Sequence, residues 1–263
     1  MINNKDESLL PRWMGKDILH KEITDSTNHD IHLLAGNGSI EGTVVVAECQ
    51  TAGKGRRGRS WQAQSGKALL FSVLLRPQIK PDTAPQITLL MAMAVTKAVR
   101  KLCSLDAEIK WPNDVVVNSK KICGILTEMN LANGGIDHVV VGTGVNVNQD
   151  VIPEELESSA TSLFLETGFE FPKEEMLARI LYEFEIYYEK FLQNKNLEAI
   201  QTEYNEWLVS LHKEVRVLDP QGEYCGISRG INKNGELLVE LEDHSINQVY
   251  AGEVSVRGLY GYV

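Results

Sequence analysis

Residues 43–49 and 68–75 are β-branched and apolar almost without interruption, which predicts two strands. Between Pro85 and Leu102 the rhythm changes. Ile87, Leu90, Met91, Ala94, Val95, Ala98 and Leu102 recur at helical spacing behind an opening proline. Three further strands are predicted at 108–111 with 115–117, at 121–128 and at 138–145. They are separated by Asn118-Ser119 and Asn133-Gly134-Gly135 turns, whose shortness implies antiparallel neighbours. Ahead of them, Asp25-Ser26-Thr27-Asn28 offers caps for a short helix to about Ala35, which the glycines from Gly36 to Gly42 break.

After Pro172 an apolar stripe of Met176, Leu177, Ile180, Leu181, Phe184, Tyr187, Tyr188 and Phe191 predicts a long helix whose aromatic residues are core. A second helix is predicted at 197–208. From Val215 onward short alternating runs at 214–218, 223–228, 237–241 and 248–249 are punctuated by Pro220-Gln221-Gly222, Asn232 to Gly235 and Gly252, and predict a small β-barrel. The expected division is residues 1–211 and 212–263.

The chain has 263 residues, 43% of them hydrophobic, enough for one sizeable domain and a small one. No stretch approaches the ~18 apolar residues of a membrane span, and the polar lead from Met1 to Leu10 lacks the apolar core of a signal peptide. The expectation is a cytoplasmic protein without membrane contact. Cys49, Cys103, Cys123 and Cys225 form no C-x-x-C pair and read as reduced thiols, while His29 and His32 without a third ligand read as helix surface. A formal net charge of -10 speaks against general nucleic-acid binding.

Against that charge, residues 53–61 read Gly-Lys-Gly-Arg-Arg-Gly-Arg-Ser-Trp, with four cations and three glycines in nine positions. Glycine lets backbone N–H groups approach a ligand, and each arginine offers a planar fork of donors, so this loop suits an anionic ligand. Gly53, Gly58, Arg59 and Ser60 fall at P-loop spacing, but a P-loop opens a helix, and here a polar, glycine-broken stretch and then a strand follow. Three more polar clusters sit at strand ends or turns: Ser26-Thr27-Asn28, Lys110-Trp111-Pro112-Asn113-Asp114, and Gly142-Thr143-Gly144-Val145-Asn146. Lys121 opens a strand whose alternation could direct its cation inward. Singly these have plain readings: a helix cap, a corner, a bulge or tight packing.

Together they resemble the biotin–protein ligases, in the order S-T-N, Q-x-A-G-(K/R)-G-R-x-G-R-x-W, K-W-P-N-D, K-x-x-G-I-L and G-x-G-x-N over nearly the whole chain. The resemblance implies an α+β fold: a mixed, largely antiparallel sheet with flanking helices, similar to class II synthetases, followed by a small SH3-like barrel. It also implies a two-step reaction. Biotin and MgATP would give biotinyl-5′-AMP and pyrophosphate, and a lysine of a biotin carboxyl carrier protein would then take the biotinyl group. By the same resemblance Ser26, Thr27, Asn28, Gln50, Gly53, Gly55, Arg56 and Lys121 bind biotin. Lys54, Arg57, Arg59, Trp61, Asn113, Asn146 and Arg257 bind the nucleotide, with Trp61 facing adenine. Lys121, Arg56 and Asp114 carry the chemistry, and Asp114 organises Mg²⁺ or the incoming lysine.

Lys54 stands where many members have Arg, which keeps the charge and loses bidentate geometry. The Ser26-Thr27-Asn28 motif comes early, so no N-terminal DNA-binding domain and no operator binding are expected, and the segment from Gly252 to Arg257 resembles the family's closing motif. A homodimer is compatible with the resemblance. A lipoate–protein ligase would share the adenylate logic but lack the full basic loop together with K-W-P-N-D. A nucleic-acid or peptide-binding module would use the loop and barrel alone, and the acidic balance opposes it.

Overall fold

The computed structural model describes residues 10–219, 222–251, 255–258 and 262–263. Residues 1–9 of the lead, the turn residues Pro220 and Gln221, and Gly252, Glu253 and Val254 of the closing motif lie outside the described residues.

Seven strands form the main sheet: β1 (Ile18–Thr24), β2 (Val44–Gln50), β3 (Leu69–Leu75), β4 (Glu108–Lys110), β5 (Asp114–Val117), β6 (Lys120–Ala132) and β7 (Gly135–Val145). Their order is β1-β2-β3-β7-β6-β5-β4, with β1 and β2 parallel and every other pair antiparallel. The β6–β7 hairpin turns at Asn133 and Gly134, both at positive φ, and runs several residues beyond the predicted strands. There Met129 and Leu131 are exposed, so the ribbon is held by backbone pairing, which leaves no apolar trace in the sequence.

Helices cover both faces of the sheet. On one face α2 (Gln86–Cys103) and α4 (Lys173–Asn194) pack over Val44, Val46, Phe71, Val73, Val139 and Val141. The predicted aromatic stripe of α4 is buried along its length, each such side chain contributing about 1.5–3 kcal/mol through area removed from water. On the other face α1 (Thr27–Gly36) lays Ile31 and Ala35 on Val45, Leu74 and Val140, the alternate residues of the same strands. α1 is short and covers only part of that face.

α3 (Leu163–Thr167) is a single capped turn, and α5 (Gln201–Glu206) occupies only the middle of the helix predicted at 197–208. The five strands β8 (Glu214–Leu218), β9 (Tyr224–Ile231), β10 (Leu237–Glu240), β11 (Ile246–Val249) and β12 (Ser255–Gly258) form an antiparallel sheet in the order β11-β10-β9-β8-β12. One apolar cluster joins Val215, Val217, Ile231 and Leu237 of this sheet to the main core. Trp111 Nε1 donates to Gly235 O at 3.0 Å across the same junction.

Candidate active site

Beyond the reach of α1 the uncovered face of the main sheet becomes the floor of a cleft of about 1060 Å³, counted out to open solvent. Three glycines lower that floor. A Cβ on Gly142 would stand 2.0 Å from Asn28 Oδ1, one on Gly144 2.5 Å from Trp61 Cε2, and one on Gly124 2.8 Å from Trp61 Cζ3 and 2.9 Å from Lys121 Nζ. Register aligns them, Gly124 opposite Gly144 on β6 and β7, and Ser72 of β3 opposite Gly142. They are sites of tight packing, making room for Asn28 of α1 and for the Trp61 ring and Lys121 ammonium above the sheet.

The start of α1 forms one wall. Ser26 occupies the N-cap position, yet its side chain makes no capping hydrogen bond and lines the cleft. Gln50 Oε1 accepts from Thr27 N at 2.7 Å and from Thr27 Oγ1 at 3.0 Å. Asn28 Nδ2 donates to Glu128 Oε2 at 2.6 Å, and Ser72 Oγ lies 2.6 Å from Asn28 Oδ1 and 2.7 Å from Thr27 Oγ1. Each amide thus has a fixed orientation. His32, read from the sequence as helix surface, instead meets the buried His138, Nδ1 to Nε2 at 2.8 Å.

The basic loop is a closed hairpin. Gly55 N donates to Arg59 O at 2.7 Å and Trp61 N to Gly53 O at 2.9 Å; Arg57 and Gly58 take positive φ at 58° and 72°, where glycine is at ease and arginine is uncommon. No helix follows it, as the sequence indicated. Arg56 reaches inward, Nη1 donating to Asn113 Oδ1 at 2.9 Å and Nη2 to Ala251 O at 2.8 Å, so one guanidinium ties the loop to both sheets. Burial and the neighbouring Arg57 and Arg59 pull its pKa below that of a free guanidinium, against the opposing pull of Asp114.

Lys121 reaches the cleft by a device that strict alternation does not supply. Asp114 pairs with Gly124, Val115 with Cys123, and Val116 with Lys121, so Ile122 is an extra residue in β6. This one-residue bulge buries Ile122 and Cys123 together and returns Lys121 to the face of Gly124. Its Nζ then lies 2.6 Å from Asp114 Oδ1, while the Tyr262 hydroxyl donates to Asp114 Oδ2 at 2.5 Å. Burial opposes charge on Asp114, but Lys121 and Lys110 together with these hydrogen bonds hold its carboxyl below the usual range. Burial lowers Lys110 to about 8, with Lys121, Arg257 and Arg59 adding to the effect and Asp114 opposing it.

Ser26, Thr27, Asn28, Gln50, Lys54, Gly55, Arg56, Arg57, Arg59, Trp61, Asn113, Asp114, Lys121 and Arg257 all line this cleft. Gly53 and Asn146 do not. Gly53 closes the neck of the loop, and Asn146 is buried just past the end of β7 with Nδ2 donating to Thr161 O at 2.9 Å. Sequence reasoning missed Ser72, Glu128 and Tyr262. Ser72 is the one polar residue in the apolar strand β3, a legible signal, whereas nothing around Tyr262 marked it.

Trp61 lies flat against the floor glycines with Lys121 Nζ 5.5 Å from its ring centroid. Among the described residues, seven cations and a single carboxylate line the cleft, in a chain of net charge -10. Such a site can draw in a polyanion, neutralise two anionic groups brought together, and exclude water beneath a loop. Among the described residues no group of three or more His, Cys, Asp or Glu could hold a metal ion.

Residues 22–146 match the biotin/lipoate A/B protein ligase family and residues 211–257 the biotin protein ligase C-terminal domain. The chain is 35% identical to the bifunctional ligase/repressor BirA of Bacillus spizizenii, over 92% of this chain and 75% of that one. It is 34% identical to the biotin–[acetyl-CoA-carboxylase] ligase of Mycobacterium tuberculosis, over 92% of this chain and 89% of the relative. The biotin protein ligase of Aquifex aeolicus, solved with biotin and ATP, superposes with a TM-score of 0.82 at 32% identity, covering 92% of this chain and 99% of that one. With relatives of about a third identity matched over most of both chains and its fold matched over nearly its full described length, the chain belongs to the biotin protein ligase family.

Proposed function

We propose that the chain joins biotin to ATP as biotinyl-5′-AMP, releasing pyrophosphate, and then passes the biotinyl group to a lysine of a biotin carboxyl carrier protein, releasing AMP. The observation that carries this reading is the placement of a compact polar wall, Ser26, Thr27, Asn28 and Gln50, beside the Lys121–Asp114 pair and under the Arg56 loop. A ureido ring presents one carbonyl acceptor and two N–H donors, which the Ser26 and Thr27 hydroxyls and the Gln50 amide match in number and size.

In the first step a carboxylate oxygen attacks the α-phosphorus and the bond to pyrophosphate breaks. Lys121 and Arg56 lower the repulsion between the two anions, and the bulge of β6 fixes the ammonium before the reactants meet. Lys54, Arg57, Arg59 and Arg257 hold phosphate oxygens, Asn113 anchors Arg56, and Trp61 lifts from the glycine floor to cover the adenine. Asn146 steadies the end of β7 through Thr161, and Gly53 and Gly55 let the loop fold over. Mg²⁺, bound with ATP, would supply further charge neutralisation on the phosphates, and Asp114 is the carboxylate among the described cleft residues that would steady it. In the second step the acceptor amine, having given its proton to solvent, attacks the acyl carbon, the acyl–oxygen bond to phosphate breaks, AMP leaves, and the second amine proton passes to solvent.

Residues 1–211 form the catalytic unit and 212–263 the accessory β unit in this reading. It places the enzyme in the cytoplasm, where ATP is available. The unpaired edge of β1, with Leu19 and Ile23 exposed, supports a homodimer. Biotin retained on a filter with an acceptor carrier domain tests the proposal: labelling should require ATP, biotin and the acceptor lysine together. Labelling by lipoate in place of biotin would favour the other branch of the family.

A further inference from the structure

We propose that Tyr262 is a positioning residue for the adenylation step, acting by deciding which of two lysines holds Asp114. Lys110 of β4 is the cross-strand partner of Asp114 on β5, so the nearest cation to that carboxylate by register is Lys110. The pairing found is different. Lys121, from the next strand over, has Asp114 Oδ1 at 2.6 Å, and the Lys110 ammonium rests on the Tyr262 ring, 4.3 Å from its centroid. The Tyr262 hydroxyl takes the remaining oxygen, Asp114 Oδ2, at 2.5 Å.

Tyr262 therefore does two things with one side chain. Its ring gives Lys110 a resting place through the attraction of a cation for an aromatic face. Its hydroxyl pins the second carboxylate oxygen, so with the Lys121 ammonium ion-paired to the first, Asp114 is held at both oxygens. The consequence is that Lys121 is aimed along a fixed line past Gly124, whose missing Cβ leaves its Nζ room. Tyr262 follows β12, so the second sheet reaches the reacting centre through it as well as through Arg257.

This inference rests on the adenylation reading, and the experiment separates the two. Biotin-dependent pyrophosphate exchange is measured for the wild type, Tyr262→Phe, Asp114→Asn and the double variant, with kcat and KM resolved. Tyr262→Phe keeps the ring and loses the hydroxyl, so kcat should fall about 10-fold, as for removing a hydrogen bond to a charged group, while both KM values stay within about twofold. In the Asp114→Asn background the same change should add no further loss, because the hydroxyl acts through that carboxylate. A wild type without exchange overturns the adenylation reading itself. An active wild type with an unimpaired Tyr262→Phe, or with equal losses in both backgrounds, overturns the role of Tyr262 alone.

Competitive acetylation of the folded, ligand-free protein reads the lysine choice without turnover and stands even where Asp114→Asn is too slow to assay. Tyr262→Leu removes ring and hydroxyl, so Lys110 should shift onto Asp114 and become shielded while Lys121 becomes more reactive. An unchanged ratio of Lys110 to Lys121 labelling in that variant contradicts the proposal.

Discussion

Replacing Lys121 by Met separates what this lysine does for the fold from what it does for the reaction. The Lys121 side chain is 26% exposed and that of Asp114 12%, with their charged atoms 2.6 Å apart. Two unit charges about 4 Å apart at an effective dielectric near 20 attract by about 4 kcal/mol, and breaking a buried pair by removing one partner costs about 3–5 kcal/mol. Because Lys121 is partly in contact with water, the lower end applies. Lys121→Met should lose about 3 kcal/mol in urea unfolding, since Asp114 loses its paired ammonium and keeps the Tyr262 hydroxyl and the more distant charge of Lys110. Lys121→Met with Asp114→Asn should recover to within about 1 kcal/mol of the wild type, because the buried charge has gone too.

Adenylation follows a different pattern. Both the single and the double variant should lose about 10²-fold or more in biotin-dependent pyrophosphate exchange, since the cation that offsets crowding of carboxylate and α-phosphate is absent from each. Stability measured by urea and turnover measured on the folded fraction would thus part company. Recovery of exchange in the double variant, alongside its stability, would refute a direct role for Lys121 and reduce it to a structural partner of Asp114.

Gly142→Ala places a Cβ 2.0 Å from Asn28 Oδ1, so Asn28 must leave Ser72 and Glu128; calorimetry should show biotin affinity lowered by about 10-fold or more, as for overpacking of 1–3 kcal/mol, and unaltered affinity would show the floor to be loose. Lys110, lowered to about 8 from 10.5, carries fewer protons in the folded than in the unfolded chain between those values, so its contribution to stability rises with pH through that window and is absent below it; this rise, measured as the difference between wild type and Lys110→Met, should be positive from pH 8 to 10.5. ATP phosphates restore the charge, so ATP binding near pH 8 to 9 should take up a proton in the wild type and none in Lys110→Met, which calorimetry in buffers of different ionisation enthalpy decides. Arg56→Gly cuts the ties to Asn113 and Ala251, and the adenylate should escape and label bystander lysines; equal adenylate dwell times in variant and wild type would remove Arg56 from the lid.

Much of this was legible because the apolar rhythm of α2, α4, β2 and β3 coincides with their burial. Polar clusters breaking that rhythm were likewise the cleft's walls. The failures have physical causes. β1 reads Ile-Leu-His-Lys-Glu-Ile-Thr and is an edge strand paired on one side, so backbone hydrogen bonds to β2 hold it with little apolar burial to reveal it. Lys121 was placed on the correct face, but through the bulge at Ile122, which no local composition announces. Asn146 falls in the G-x-G-x-N motif but lies just past the end of β7, where its amide is taken up by Thr161 O. Tyr262 and Glu128 act on residues 148 and 100 positions away, contacts that only the completed fold creates.

The exchange of radiolabelled pyrophosphate into ATP by the purified chain tests the central claim most directly, because it requires the carboxylate, the α-phosphate and the cationic cleft to meet and nothing else. Exchange should appear on adding biotin, and it should not appear with lipoate. Exchange driven by lipoate, or none with biotin from a folded chain that binds ATP, would contradict the account.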